Sequence, residues 1–494
     1  MTHTLRPNQF RLDLNSTPQV ARGGRTPRVA VVGAGIAGLT AAWELRRIYG
    51  PEANILLVDA YDRLGGKLKT VNFGNGPVDV GAEAYLGFRE DFTELVRALG
   101  LGHALRSPSS LPGSIYAAGE LADIPKNTLM GIPADGEGVA HIIGVEAAQQ
   151  VDAERNGQPM TWEPGQDTTV GQLVGARLGR AVVDKVVSPL LGGVYSCSAD
   201  DLGVRATMPE LAAALDSRGA DGQGFYLLDV VAEIMERKAK QRASQGAAAD
   251  TAPRTPVFQT IDTGYATLVN ALAEQAAPEI LLNTPVESIG RHKGGWYIEP
   301  IGVVDAVIVA TPAPTAAVLL QHVATTAADV LHDVELASSV VVGMRMDSAH
   351  GLPERSGILL GTDAPTEAKA FTFSSRKWPH IAARGGAVVR ASFGSFTQPW
   401  HLEVEDRALL SFALDDLEKV TGERKNPQEY FVQRWWGGLP CYGVGYMERM
   451  NAAYQEIEEI PGLGLAGAML NGVGVPATAA SGMAAARSIA ESLS

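Results

Sequence analysis

The sequence predicts an α/β fold built from more than one domain, and three observations predict it. An apolar run, RVAVV at residues 28–32, leads into glycines at 33, 35 and 38, a helical stretch, and a second apolar run, NILLVD at 54–59. Short buried strands alternating with a helix are the pattern of a parallel sheet. From about residue 135 to 245 the texture changes to Ala-, Leu- and Glu-rich helical periods, and strand-rich blocks then return at 258–310 and 340–393. The 494 residues exceed one ordinary core and suit two or three domains.

Each part of the stretch 28–67 has a physical job. Gly33 permits a tight turn out of the strand, Gly35 lets backbone approach a diphosphate, and Gly38 lets the helix 39–48 pack close to the strand. Ala34, Ile36 and Ala37 fill the loop between them. The free N–H groups and positive dipole at the helix start then face an anion. Asp59 stands 26 residues after Gly33, near the ~20 of an acid that binds a ribose hydroxyl. A bare G-x-G-x-x-G also fits a glycine-rich turn of another α/β domain. Here it follows a strand, opens a helix and is answered by an acid at a strand end, which favours an ADP-containing ligand.

Composition narrows the classes. Apolar residues are 46 % and charged residues 19 %, so the chain forms a core rather than staying disordered. A net charge of −14 argues against nucleic acid. Two cysteines, Cys197 and Cys441, suit a reducing compartment and exclude a disulfide scaffold. Nine scattered histidines without H-E-x-x-H predict no metal. Residues 1–26 are polar, lack a secretory apolar core and read as a disordered tail. No apolar run of about 18 residues escapes Pro, Gly or charge, so the expectation is a cytoplasmic protein without a transmembrane span.

The remaining elements follow in order. Residues 73–80 read as strand–turn–strand, 91–99 as an amphipathic helix, and 114–121 as a hairpin. Helices are expected at 138–154, 169–178, 180–188 and 209–215. Residues 225–242 form a helix that turns basic; a solvated face is the plain reading, and a membrane-surface contact the alternative. Residues 243–255 read as a low-complexity loop. Strands are expected at 280–283, 284–289, 296–300, 305–310, 340–346, 370–374 and 387–393, with helices at 406–420, 427–431 and 446–460. A final strand at 463–468 precedes a final Ala-rich helix at 477–492.

Asp62-Arg63-Leu64-Gly65-Gly66-Lys67, followed by Asp79-Val80-Gly81-Ala82-Glu83-Ala84-Tyr85, resembles the glutathione-reductase-type FAD proteins of the amine oxidase and protoporphyrinogen oxidase superfamily. The segment 188–202, the Lys377-Trp378-Pro379 element, Arg434-Trp435 with Pro440 and Tyr442, and 470–476 with Ser481-Gly482 narrow the resemblance. Together they are similar to the protoporphyrinogen/coproporphyrinogen oxidase family, above all its Gram-positive-type coproporphyrinogen III oxidases. The resemblance implies a glutathione-reductase-type FAD domain made of residues 27–75, 256–312 and 445–494. It implies a mixed-sheet substrate domain at 76–115 and 313–444, and an inserted helical domain at 116–255. Gly33–Gly38, Asp59, Arg63, Gly65, Gly66, Lys67 and Gly81, Ala82, Glu83 and Ala84 are the implied FAD contacts. So are Val286, Trp435, Ala468, Val473, Gly474 and Val475. From side chains alone, Val286, Ala468 and Trp435 read as core packing; their place in matching motifs is what lifts them. Ser392 stands where relatives carry a Tyr, and Ala82 where a Pro is frequent, so roles tied to those residues do not transfer.

The implied activity is oxidation of coproporphyrinogen III to coproporphyrin III with O2 as acceptor and H2O2 as product. Protoporphyrinogen IX oxidation is the alternative, with an FAD amine oxidase or desaturase, or a non-enzymatic flavin-bound scaffold, behind it. The flavin carries the redox step, so no catalytic side chain is assigned. Four propionates need cations at the mouth of an apolar cleft, and Arg89, Arg376, Lys377 and Arg390 are the candidates, Arg89 first. The substrate is thus a small tetrapyrrole; docking to a haem-pathway ferrochelatase and peripheral membrane contact are the partner roles left open.

Overall fold

Residues 28–32 are apolar at nearly every position because both faces of their strand are covered. In the computed structural model, which describes residues 5, 10–16, 26–247 and 256–493, β1 (Arg28–Val32) is the middle strand of a five-stranded sheet. Its order is Glu279–Leu281, β2 (Asn54–Val58), β1, Ala306–Val309, Leu463–Leu465, and every pairing is parallel. Continuous hydrophobic strands are what a parallel sheet buried on both sides requires. Between β1 and β2 runs helix α1 (Ile36–Tyr49), whose Ala, Leu and Trp residues are buried against the helices Tyr265–Ala276 and Val475–Ser492.

The chain divides into two compact units. The first holds Met1–Ser107, Pro256–Glu335 and Met447–Ser494, and with them the parallel sheet. It also carries the hairpin Thr70–Asn72/Pro77–Asp79 and an antiparallel meander through Ser288–His292, Gly295–Glu299 and Gly302–Val304. The expected strand at 284–289 is therefore corrected: regular pairing starts only at Ser288. Residues 10–16, within the expected tail, lie on this unit. Leu12 is 3 % exposed, its N–H donates to Asp91 Oδ2 at 3.1 Å, and Arg47 donates to the Leu14 carbonyl at 2.7 Å. Of the rest of 1–25, only Leu5 is among the described residues.

The second unit holds Pro108–Thr255 and Leu336–Tyr446. Its seven-stranded sheet runs Glu429–Pro440, Leu336–Met346, Ala387–Phe393, Ala370–Thr372, Gly357–Leu360, Gly113–Ala117, Glu120–Asp123. Only the Gly357–Leu360/Gly113–Ala117 pair is parallel. Alternate residues Val340, Val342 and Met344, with Val389 and Phe393, pack on Leu409, Ala413 and Leu417 of helix Asp406–Thr421. The expected helix at 427–431 is corrected: those residues enter the strand Glu429–Pro440. The β-favouring Tyr430, Phe431, Val432, Trp435 and Trp436 outweigh the helix-start cue of Pro427. The helical stretch expected at 138–154 breaks at Gly144, where φ is +90°. Helix Leu227–Ala247 runs into the loop expected at 243–255, whose remainder lies outside the described residues. Among the described residues no helix is long and apolar enough to cross a membrane.

Candidate cofactor site

β1 delivers the chain to Gly33, whose N–H donates to the Val58 carbonyl at 2.7 Å. Its φ of +109° favours glycine, and a Cβ there would stand 2.6 Å from the Ala310 oxygen. A Cβ on Gly38 would lie 1.8 Å from the Gly33 oxygen, so helix α1 sits hard against the turn. Gly35 differs. Its φ of −72° suits any residue, and an added Cβ would meet nothing within 4 Å. The fold needs glycine at 33 and 38; at 35 the absent side chain keeps open the space before the start of α1. No side chain caps that start. Leu39 N–H is bonded back to the Gly35 carbonyl at 2.9 Å, and the N–H groups of Ile36, Ala37 and Gly38 have no intrahelical acceptor.

A second glycine turn lies on the first. Gly65 N–H donates to the Ala34 carbonyl at 2.8 Å, and a Cβ on Gly66 would stand 3.1 Å from Gly35 Cα. Arg63 holds this turn from within, donating to the carbonyls of Leu64 (3.1 Å), Leu68 (3.2 Å) and Gly66. Asp59, at the end of β2, accepts from Ala34 N–H at 2.7 Å and Tyr61 N–H at 2.9 Å. Lys67 stays reachable by water, yet crowding by the surrounding chain pulls its ammonium down to about 8.

The sequence singled out 79–85 as one flavin segment, but its first residue is structural. Asp79 is buried; it accepts the Thr70 hydroxyl at 2.5 Å and Tyr265 N–H at 3.0 Å, and so caps helix Tyr265–Ala276. Gly81, Ala82, Glu83 and Ala84 follow without regular structure, and the Thr260 hydroxyl donates to the Glu83 carbonyl at 2.7 Å. Val286 lies half-buried in irregular chain between the Glu279–Leu281 and Ser288–His292 strands.

The closing helix Val475–Ser492 also begins uncapped, at an exposed Gly474 after the half-buried Val473. Ala468 opens a short helical turn after Gly467, whose N–H donates to Ser481 Oγ at 2.9 Å. The helix is pressed on α1: a Cβ on Gly482 would stand 1.9 Å from the Ala37 oxygen, and the Thr40 hydroxyl donates to the Ala479 carbonyl at 2.8 Å. Two uncapped helix starts thus belong to one unit with the paired glycine turns. Thr311 Oγ1 adds a buried hydroxyl with no hydrogen-bond partner among the described residues, beside Gly33. The strand expected at 305–310 stops one residue short of Thr311, for which the sequence carries no expected role. Orphaned donors, an open space at Gly35 and nearby cations fit a bound dinucleotide diphosphate.

The predicted propionate cations divide between the units. Arg89, in the first, is 4 % exposed and grips Asp91 with Nε and Nη2 at 2.8 and 2.7 Å. Burial pushes the Asp91 carboxyl up, but Arg89 outweighs this and holds it below the usual carboxylate range. Arg376, Lys377, Arg390 and Trp435 lie in the second. Arg376 donates to the carbonyls of Ala349 (3.1 Å) and Leu352 (3.3 Å) and pairs with Glu354 at 2.8 Å. The Lys377 ammonium stands 5.0 Å over the Trp378 ring. Arg390 is buried on strand Ala387–Phe393, opposite Gly343 and Thr372. Trp435 is half-buried, beside a bulge opposite Ala337 and Ser339.

Residues 36–490 match the family described as flavin containing amine oxidoreductase. The chain belongs to that family. It is an oxidoreductase, and the dinucleotide-type βαβ unit makes its flavin FAD. The coproporphyrinogen III oxidase of Mycobacterium tuberculosis is 36 % identical, over 95 % of this chain and 98 % of the relative. That of Bacillus subtilis is 27 % identical over 91 % and 94 %. A solved structure from Exiguobacterium sp. 255-15, assigned as a protoporphyrinogen oxidase, superposes with a TM-score of 0.80 at 29 % identity, covering 95 % and 99 %. Cyclohexylamine oxidase from Brevibacterium oxydans shares the fold at a TM-score of 0.65 and 17 % identity, covering 95 % and 99 %. Among the described residues no group of His, Cys, Asp and Glu could hold a metal ion.

Proposed function

We propose that this flavoprotein oxidises coproporphyrinogen III to coproporphyrin III, with O2 as the final acceptor and H2O2 as the product. The observation that carries the reading is the 36 % identity to coproporphyrinogen III oxidase, sustained over 95 % of this chain and 98 % of the relative. When bound, FAD supplies the two-electron acceptor for loss of hydride from the macrocycle.

The chain's own residues bind and orient. The N–H groups of Ile36, Ala37 and Gly38, with Arg63 and Lys67 nearby, suit the diphosphate, and Asp59 the ribose. Gly33, Ala34, Gly35, Gly65 and Gly66 let backbone come close. The segment Gly81–Ala84, with Val286, Ala468, Val473, Gly474, Val475 and Trp435, is assigned to the remaining cofactor contacts. Propionates are assigned to Arg89, Arg376, Lys377 and Arg390. A propionate at Arg89 competes with Asp91, and one at Arg376 with Glu354. No side-chain base is needed: pyrrole nitrogens stabilise the cation that hydride loss leaves, and their protons go to water.

The protoporphyrinogen IX reading rests on a chloroplast protoporphyrinogen oxidase of Nicotiana tabacum, 23 % identical over 90 % of this chain. Mixing the FAD-loaded protein anaerobically with coproporphyrinogen III should bleach the flavin and raise porphyrin fluorescence. Admitting O2 should restore the flavin colour and yield peroxide. Faster bleaching with protoporphyrinogen IX moves the assignment to that substrate; no bleaching with either removes it.

A further inference from the structure

The two cysteines of this chain stand 244 positions apart in sequence, both unbridged and both buried. The fold brings them together inside the second unit. Cys197 follows helix Ser188–Tyr195 and the left-handed Ser196, and Cys441 follows strand Glu429–Pro440. The segments run side by side beyond them. Gly203 N–H donates to the Tyr442 carbonyl at 2.7 Å, and a Cβ on Gly203 would stand 2.6 Å from the Gly443 oxygen. The Cys441 thiol donates to the Asp201 carbonyl at 3.7 Å, in the turn that follows Cys197, and Cys441 is the neighbour that most raises the Cys197 thiol. Ser198 N–H and hydroxyl both donate to Asp201 Oδ2 at 2.7 Å, which fixes the turn bearing Cys197. Lys369 Nζ, donating to Ser196 Oγ at 2.8 Å and the Gly394 carbonyl at 2.7 Å, completes the surroundings.

We propose that Cys197 and Cys441 form a dithiol pair that closes to a disulfide when the protein meets a hydroperoxide. The flavin chemistry and the O2 reading play no part in this step, because the peroxide comes from any source. One of the two sulfurs attacks one peroxide oxygen; the O–O bond breaks, water leaves with the thiol proton and that cysteine becomes a sulfenic acid. The other thiol then attacks that sulfur, the S–S bond forms and a second water departs. The two sulfurs give up two electrons and two protons, and the peroxide becomes two waters. The closed bridge ties the end of helix Ser188–Tyr195 to the end of strand Glu429–Pro440, making the oxidised unit more resistant to unfolding.

The test treats FAD-loaded full-length protein with hydrogen peroxide, quenches in acid, denatures, alkylates with iodoacetamide and maps peptides by mass. Untreated protein should take two labels. Oxidised protein should take none, weigh less by two hydrogens, show a peptide joining Cys197 to Cys441, and regain both labels after dithiothreitol. Retention of both labels, oxygen added to either sulfur without a bridge, or bridges between copies overturns the pairing. In Cys197→Ser or Cys441→Ser a cyclic 1,3-dione should trap a sulfenic acid on the cysteine that remains; trapping on neither overturns the sulfenic step. Because the wild-type map decides the pairing by itself, poor folding of either variant leaves it testable.

Discussion

Alanine at Gly35 and at Gly38 should separate cofactor binding from folding, although the two positions are one helical turn apart. At Gly38 the new Cβ would sit 1.8 Å from the Gly33 carbonyl oxygen, well inside van der Waals contact, and the clash is with backbone. Relief requires α1 to move off β1 or the Gly33 turn to open. Overpacking of this kind costs about 1–3 kcal/mol when side chains can yield. With backbone on both sides we expect the upper end, about 3 kcal/mol, a large share of a typical ~5–15 kcal/mol. At Gly35 the backbone is ordinary, φ −72° and ψ −176°, and the Cβ meets nothing within 4 Å. The apoprotein should then keep its stability, or gain about 0.4–1 kcal/mol from a less free unfolded chain. The methyl would instead occupy the space in front of the α1 N–H groups. Losing one charge-assisted hydrogen bond there costs about 1.5–3 kcal/mol, or a ~10- to 150-fold weaker Kd for FAD. Urea unfolding of the apoprotein reads the first quantity and quenching of FAD fluorescence on titration the second. A Gly35→Ala protein that binds FAD like wild type, or unfolds as readily as Gly38→Ala, refutes the division of roles.

Three further outcomes follow from single groups. Glu44 is fully buried and accepts from Arg487 at 2.7 Å and Arg47 at 2.5 Å, so Glu44→Ala should cost about 3 kcal/mol by urea unfolding. A loss below about 1 kcal/mol would mean that water already satisfies both arginines. Lys67 has its pKa lowered from 10.5 to about 8 in the apoprotein, whereas a diphosphate favours its charged form. FAD binding should therefore take up a proton above pH 8 and weaken as pH rises beyond it. Lys67→Met should flatten that slope, and an unchanged slope places the titration elsewhere. Asp79→Ala removes the cap of helix Tyr265–Ala276 and strands the Thr70 hydroxyl, for an expected loss of about 2 kcal/mol; differential scanning calorimetry on the apoprotein checks it.

What the sequence made legible was what local physics decides. The run 28–59 announced strand, turn and helix because glycine spacing and apolar periodicity are both short-range signals. The structure places β1, α1 and β2 within three residues of that reading, the largest difference being the start of α1 at Ile36. The strand Ala387–Phe393 was equally readable from its β-branched and aromatic residues. The misplaced elements were those that distant partners decide. Residues 427–431 offered a proline start and too few residues to show a period; pairing with Leu336–Met346 made 429–431 strand. Residues 284–289 looked like a strand by composition, but only Ser288 onward finds the hairpin partner Gly295–Glu299. The polar segment 10–16 gave no sign of order because its anchors are remote: Arg487 donates to Ser16 Oγ at 3.1 Å from 471 positions away. Among the cations, type and position suggested propionate contacts. The sequence carried no signal that Asp91 occupies both arms of Arg89, since neighbouring charges of opposite sign occur on most solvated helices.

The order of the chain also bears on when the proposed cofactor site exists at all. Its first uncapped helix start is made by residues 36–38 and its second by 474–477, near the two ends of the sequence. Neither is held by a cap of its own. What holds them is the Ala37–Gly482 approach, too close for any side chain at 482, and the bond from Thr40 to Ala479. The sheet is complete only when Ala306–Val309 has joined β1 and Leu463–Leu465 has joined Ala306–Val309. A glycine motif at residue 33 thus creates the potential for binding, and the closing helix fixes the geometry. Sequence distance carries little meaning in such a unit: the residues that act together are those that share the edge of one parallel sheet.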